Sequence, residues 1–229
     1  KRQVYDSSEW DAYQTALITV RNADGDIVAV TRATVPVSDE MNCSKCHTEE
    51  AWTDVIAQHD RLHGTALADS VPFLCASCHG SPALGTVGPG SAGIYLSEAI
   101  HGSHSTRLAS CYDCHPGLNS KCMRSERHTA ADGNCEACHG DLARVASSIE
   151  SGRIPWAEEP TCGSCHTGVP GLEPSGTLFR NAMGHGSVNC AACHNAPHAM
   201  YPSTHMADNY QPIEYQGGAK SIGSCGVCH

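Results

Sequence analysis

The sequence predicts a mostly irregular fold in which short α-helices surround a cofactor core, with a small β-hairpin near the N-terminus. Phe, Trp and Tyr make up only 5% of the 229 residues, so few large side chains are available to fill a core. Cysteine and histidine each occur fifteen times, far above ordinary usage. The 22 Gly and 12 Pro residues indicate short elements joined by turns.

Fourteen of the fifteen cysteines lie in seven copies of the motif Cys-x-x-Cys-His (CxxCH). Two thiols at this spacing can each add to one vinyl group of a haem, and the adjacent imidazole then reaches the iron as the proximal ligand. The predicted attachment residues are Cys43, Cys46, Cys75, Cys78, Cys111, Cys114, Cys135, Cys138, Cys162, Cys165, Cys190, Cys193, Cys225 and Cys228. The predicted proximal ligands are His47, His79, His115, His139, His166, His194 and His229. The sequence therefore predicts seven covalently bound c-type haems (haem c).

Other uses of paired cysteines do not fit this pattern. Zinc ribbons combine their Cys-x-x-Cys pairs two by two, whereas the number of pairs here is odd. A thioredoxin-like redox pair occurs once, beside a strand and a helix. A secreted disulfide framework does not require histidine after every second cysteine.

Eight histidines lie outside the motifs, and seven irons need seven distal ligands. The predicted distal ligands are His59, His63, His101, His104, His128, His185 and His198. His205, in a polar stretch, is the predicted spare. The count covers bis-histidine ligation of every iron without the five Met residues, and two imidazoles give a lower potential than Met ligation. We therefore expect mostly low-potential haems and no catalytic residue.

Local context supports several of these ligands. His59 and His63 are four residues apart in a predicted helix over 52–63, which places both imidazoles on one face. His101 and His104 are separated by about one helical turn. His185 lies between two glycines, which leave room for a porphyrin plane to approach.

The spacing of the motifs predicts that the haems lie close together. Successive first cysteines are 24 to 36 residues apart, which is too irregular for a solenoid repeat. With about 33 residues per haem, the chain cannot insulate one porphyrin from the next. A contiguous chain of haems is expected to form the core.

The first forty residues differ from the rest, and the sequence predicts an N-terminal segment over 1–40 and a seven-haem cytochrome domain over 41–229. The β-rich stretches 15–20 and 27–31 flank an Asp-Gly turn, which predicts a hairpin. A cap on the haem core is favoured over a docking element, since an isolated hairpin is only marginally stable.

The charge pattern limits the partners. The formal net charge of −10 argues against nucleic acid or an anionic membrane surface. No run of eighteen apolar residues occurs, so no transmembrane segment is expected. The chain does not open on a signal peptide, and we expect that one has been removed on export.

Several short segments in and between the motifs resemble segments of the extracellular multihaem c-type cytochromes of Geobacter-type metal-reducing bacteria, above all of the OmcZ-type nanowire cytochromes. They are found at 35–43, 111–117, 121–124, 152–156, 160–162, 184–190 and 196–198. The resemblance implies haem-packed subunits that polymerise into conductive filaments outside the cell. These relatives carry an eighth haem, whereas fifteen histidines cannot supply sixteen ligands, so we predict seven haems and a buried, non-functional Cys122.

Three functions remain open at this stage. The first is extracellular electron transfer by haem-to-haem hopping within a homopolymeric filament, with other redox proteins and extracellular acceptors as partners. The second is an electron shuttle that does not polymerise. The third is a multihaem oxidoreductase, which is disfavoured because such an enzyme needs an iron with an exchangeable position and the nitrite reductases commonly mark it with Cys-x-x-Cys-Lys, which is absent here.

Overall fold

The computed structural model describes residues 13–36, 43–48, 50–107, 109–115, 122–128 and 135–229. These residues form two strands and six short helices joined by single 3-10 turns and irregular segments. The strands are β1 (Tyr13–Arg21) and β2 (Ile27–Pro36). The helices are α1 (Ala51–His63), α2 (Leu96–His104), α3 (Cys135–His139), α4 (Leu142–Glu150), α5 (Cys190–His194) and α6 (Tyr210–Gln216). The predicted short helices and scarce sheet are therefore confirmed.

The N-terminal hairpin is also confirmed. Strands β1 and β2 pair antiparallel, with Ile18 opposite Thr31, and the register shifts next to Val20. The Asn22 side-chain carbonyl accepts hydrogen bonds from the backbone N–H groups of Asp24 and Asp26, which closes the turn. Gly25 has a φ of 91°, a conformation that glycine adopts without steric cost.

The chain divides into two compact units. The first unit comprises the described parts of 1–41, 115–134 and 179–229, and the second comprises those of 42–114 and 135–178. The predicted boundary between residues 40 and 41 lies outside the described residues and stays a prediction.

In the second unit, α2 packs against α4. A Cβ at Gly102 would lie 3.8 Å from the Cβ of Ala146, so the two helices approach closely at this point. Helix α1 ends at Gly64, whose left-handed conformation and N–H bond to the carbonyl of Asp60 form a C-cap. Ile56 of α1 and Ile149 of α4 are buried.

In the first unit, a buried polar cluster joins the segment 122–128 to the segment 203–209. The guanidinium of Arg124 donates two hydrogen bonds to the Asp208 carboxylate, at 2.6 and 3.0 Å. Asn209, 2% exposed, donates to the carbonyls of Ser203 and His205. Burial of these groups is tolerated because each finds a hydrogen-bonding partner.

The apolar core formed by the protein itself is small. Among the described residues, eight hydrophobic side chains are buried, three of them alanines, whereas 23 large hydrophobic side chains are exposed. Large apolar side chains therefore remain on the surface of both units. Within the same part of the chain, no helix has both the length and the apolar character needed to cross a bilayer.

Candidate haem-binding sites

All seven Cys-x-x-Cys-His motifs form a single helical turn. Five begin with a 3-10 turn, and the motifs at 135–139 and 190–194 are the short helices α3 and α5. In four of the five motifs that begin with a 3-10 turn, the histidine N–H donates to the carbonyl of the first cysteine, as at His79 (3.0 Å) and His166 (2.8 Å). Residues three and four positions apart share one helical face, so this turn directs both thiols and the imidazole to the same side.

The attachment cysteines are open to a ligand. None of the fourteen is buried, and none forms a disulfide. Cys111 and Cys135 share a side-chain hydrogen bond, and the pKa of the Cys111 thiol is raised by burial and by this neighbour. Burial, with the nearby Cys43 thiol as a smaller cause, also raises the pKa of Cys114. Thiols of three motifs therefore lie close together in the second unit.

Three proximal histidines lie opposite predicted distal histidines. The ring centres are 6.3 Å apart for His47 and His104, 6.2 Å for His79 and His59, and 6.2 Å for His229 and His185. In every pair the ring planes are close to perpendicular, at 81° to 85°. Two imidazoles that ligate one metal ion from opposite sides, each through a bond of about 2 Å, have ring centres about 6 Å apart. The spacing in each pair is that of a metal ion held between two Nε2 atoms.

Hydrogen bonds at Nδ1 fix the tautomer of several predicted distal histidines. Nδ1 of His104 lies 2.8 Å from the Ile100 carbonyl, and Nδ1 of His101 lies 2.7 Å from the Ser97 carbonyl. A carbonyl can only accept, so Nδ1 carries the proton and Nε2 keeps its lone pair for a metal. Both histidines are thus prepared to act as ligands through Nε2.

At His59 a hydroxyl group, rather than a carbonyl, keeps the proton on Nδ1. Its Nδ1 lies 2.9 Å from Thr65 Oγ1, and that hydroxyl donates to the Asp60 carboxylate at 2.6 Å. Thr65 therefore accepts from His59. The pKa of His59 is lowered by burial, with smaller contributions from His63 and His79, which favours the neutral imidazole that a metal requires.

His205 has the opposite arrangement. Its Nδ1 accepts a hydrogen bond from the backbone N–H of Ala207 at 3.3 Å, and its ring packs against Tyr13 with centres 4.1 Å apart. A backbone N–H can only donate, so the proton of the neutral ring is on Nε2. This geometry supports His205 as the spare histidine.

The pairing of the remaining ligands stays a prediction. His63 lies beside His59, with ring centres 4.8 Å apart. In the first unit, Nδ1 of His128 lies 3.4 Å from Ser125 Oγ, and the His198 carbonyl accepts from the Arg124 N–H. Four proximal histidines, His115, His139, His166 and His194, are to be matched with the four distal candidates His63, His101, His128 and His198.

Cys122 is only partly buried, so the expectation of a buried thiol is wrong in degree. Asp54, which no sequence pattern singled out, also belongs to the site of the first motif, since its Oδ2 lies 2.8 Å from Nδ1 of His47. A carboxylate in the first turn of the helix that follows a haem motif is the signal that could have found it.

The surface around the predicted ligands suits a porphyrin. Trp52, Val55 and Leu62 lie on the same face of α1 as His59, and they are 39% to 63% exposed. An apolar strip around an imidazole that is ready to bind a metal is what the flat apolar ring of a haem would cover. The residues present therefore fit the group that the motifs imply.

A comparison with family models supports the same cofactor. Residues 149–229, which carry the last three motifs, match the model described as cytochrome c7 and related cytochrome c. No curated protein and no solved structure matches the chain. The match supports a multihaem c-type cytochrome with covalently bound haem c and a role in electron transfer.

Proposed function

We propose that the chain transfers electrons along seven bis-histidine c-type haems, by hopping from haem to haem, within a homopolymeric extracellular filament of the nanowire type. Its partners would be further copies of the chain, other redox proteins and extracellular electron acceptors. The observation that carries the proposal is the set of three facing imidazole pairs, each with ring centres 6.2 or 6.3 Å apart.

The imidazole pairs favour conduction over catalysis. An enzyme needs an iron with an exchangeable coordination position, whereas two imidazoles close both axial positions. Such a site offers a substrate no place to bind, and it can only accept or donate an electron. When bound, the haem supplies this one-electron chemistry.

The protein's part is to orient ligands and hold the sites close together. Carbonyl acceptors at His101 and His104 keep the proton on Nδ1, so that Nε2 faces the metal. Helix α1 carries His59 and His63 with ring centres only 4.8 Å apart. If each serves a different iron, this helix places two haems next to each other.

The N-terminal hairpin supports assembly into a filament. Leu17, Val28 and Val30 are 60%, 59% and 46% exposed, and Ile18 and Ile27 are exposed as well. Apolar residues thus remain exposed on both faces of the hairpin beyond the part that packs against α6 and the 206–209 turn. A neighbouring copy of the chain would cover these faces and keep the line of haems continuous between subunits.

The haem content and ligation can be tested directly. We expect intact mass and pyridine haemochrome analysis of the purified protein to give seven haems per chain, and EPR spectra to show low-spin iron only. Carbon monoxide should not bind to the reduced protein. A large high-spin or CO-binding fraction would contradict closed coordination and favour the oxidoreductase.

Filament formation calls for a second experiment. Electron microscopy and sedimentation should show polymers for the parent chain and for Ala23→Glu, which adds a charge in the exposed hairpin turn. Val30→Glu places the same charge on the apolar strand and should shift the protein to monomers. A parent protein that stays monomeric at high concentration, with all seven haems, would favour the shuttle.

A further inference from the structure

The Asp54 carboxylate contacts the proximal histidine of the first haem motif. It lies in the first turn of α1, and its Oδ2 is 2.8 Å from Nδ1 of His47. The two side chains are 26% and 27% exposed, so water screens the contact only in part. An ionised carboxylate only accepts, so the His47 N–H donates to it.

The other rings of the two facing pairs in the second unit have neutral partners. His104 faces the carbonyl of Ile100 at 2.8 Å, and His79 faces the carbonyl of Ile94 at 3.3 Å. His59 bonds to the hydroxyl of Thr65. Of these two pairs, only that of His47 and His104 has a carboxylate in direct contact with a ligand ring. The Asp60 carboxylate reaches His59 only through the Thr65 hydroxyl.

A negative charge on the far side of a ligand ring changes the affinity of the iron for an electron. The carboxylate draws the N–H proton towards itself and makes the imidazole a stronger donor to the metal. Ferric iron carries one more positive charge than ferrous iron, so it gains more from both effects. The reduction potential of that site falls as a result.

We propose that Asp54 tunes the reduction potential of the first haem site. It makes the iron between His47 and His104 harder to reduce than the iron between His79 and His59. The inference rests on the proposed function, since it requires haems at both motifs. One electron would then pass downhill from the ferrous iron of the first site to the ferric iron of the second, with no proton transferred.

Helix α1 sets the two sites side by side. Asp54 contacts a ligand of the first site, and His59, five residues further along the helix, is a ligand of the second. At a rise of 1.5 Å per residue, the two side chains start about 7.5 Å apart along the axis. One rigid helix thus both separates the sites and makes them unequal.

The test uses the full, haem-loaded protein and compares Asp54→Asn with Asp69→Asn, which removes an exposed carboxylate from the same unit. In a spectroelectrochemical titration with dithionite as reductant, Asp54→Asn should raise the potential of one of the seven components. We expect about a tenfold change in its reduction equilibrium, which is 59 mV for one electron. Asp69→Asn should move no component by this amount, and Asp54→Glu should stay close to the parent.

A second comparison assigns the shifted component. His104→Ala opens the first iron and gives it a high-spin signal whose midpoint can be followed separately. Adding Asp54→Asn to His104→Ala should raise that midpoint. If neither comparison shows a shift while the Asp54→Asn protein keeps seven low-spin haems, Asp54 is not a tuning residue and the proposed function stands. A parent protein without the seven low-spin haems would overturn both.

Discussion

The imidazole rings of His185 and His229 face each other with centres 6.2 Å apart and planes at 81°. His229 is the predicted proximal ligand of the last motif, and His185 lies well before that motif in the sequence. His185 occupies a short turn between Gly184 and Gly186, and Gly186 has a φ of 60°. This turn directs the ring towards a partner that no local pattern identifies.

The facing arrangement of His185 and His229 predicts which histidine variants leave a haem iron with an open axial position. His185→Ala should leave the iron of His229 without its distal ligand, so that about one-seventh of the haems bind CO after reduction, as measured by the absorbance difference spectrum. His205→Ala should bind no more CO than the parent, because its Nδ1 accepts from a backbone N–H. If His205→Ala opens a site and His185→Ala does not, the assignment of the spare histidine is wrong.

The Cys122 thiol can be separated from the attachment thiols by haem stoichiometry. Replacement of Cys135 and Cys138 by alanine should lower the haem count from seven to six, measured by intact mass. Cys122→Ser should leave it at seven, since this cysteine lies outside every motif. A loss of haem in Cys122→Ser would show an attachment that the motif pattern does not predict.

The buried ion pair of the first unit predicts a large effect on stability. Desolvation lowers the pKa of Arg124, but the hydrogen bond and charge of Asp208 outweigh it and raise the pKa overall. Asp208→Ala leaves the buried guanidinium without its counterion and should lower the free energy of unfolding by about 3 to 5 kcal/mol.

Chemical denaturation followed by circular dichroism measures this loss. Asp24→Ala, in the exposed hairpin turn, is the control and should change stability by less than about 0.5 kcal/mol. The double replacement Arg124→Met with Asp208→Leu should recover most of the loss, because no buried charge is left unpaired. A double variant as unstable as Asp208→Ala would mean that the cost does not come from the orphaned charge.

Alkaline pH should weaken the first unit through Tyr201. Burial, and then the negative charge of Asp208, raise the pKa of Tyr201 to about 12, whereas an unfolded tyrosine titrates near 10. The folded state holds the proton more tightly, so this contribution is complete below pH 10 and is lost as the pH rises towards 12.

The loss at pH 11 relative to pH 9 should be about 1 kcal/mol. Tyr201→Phe has no proton to lose and should lack this part of the decline, although it also loses the hydrogen bond from Tyr201 to Gln211. Denaturation of both proteins at the two pH values is the measurement. Parallel declines would contradict the assignment to Tyr201.

Local patterns predicted the elements well. The hairpin strands were placed at 15–20 and 27–31 and extend to Tyr13–Arg21 and Ile27–Pro36. The helix expected over 52–63 is α1, Ala51–His63. These elements depend on residue periodicity and turn chemistry, which a sequence displays directly.

The ligand pairs could not be predicted in the same way. The ring of His59 faces that of His79 and the ring of His104 faces that of His47, although His63 and His101 lie on the same helices. The choice depends on how α1 and α2 are directed towards the motifs. Asp54 likewise became significant only when α1 brought its carboxylate to His47.

The sequence by itself determined the motifs that predict the chemistry of this protein: seven copies of Cys-x-x-Cys-His, each spanning five residues, and eight further histidines as candidate distal ligands. A motif of this kind is local, because its thiols and imidazole share one helical turn. Tertiary structure decided which distal histidine faces which motif and what charge lies behind each ligand ring. These relationships join residues distant in sequence, so they are fixed by the packing of helices and turns rather than by any spacing along the chain.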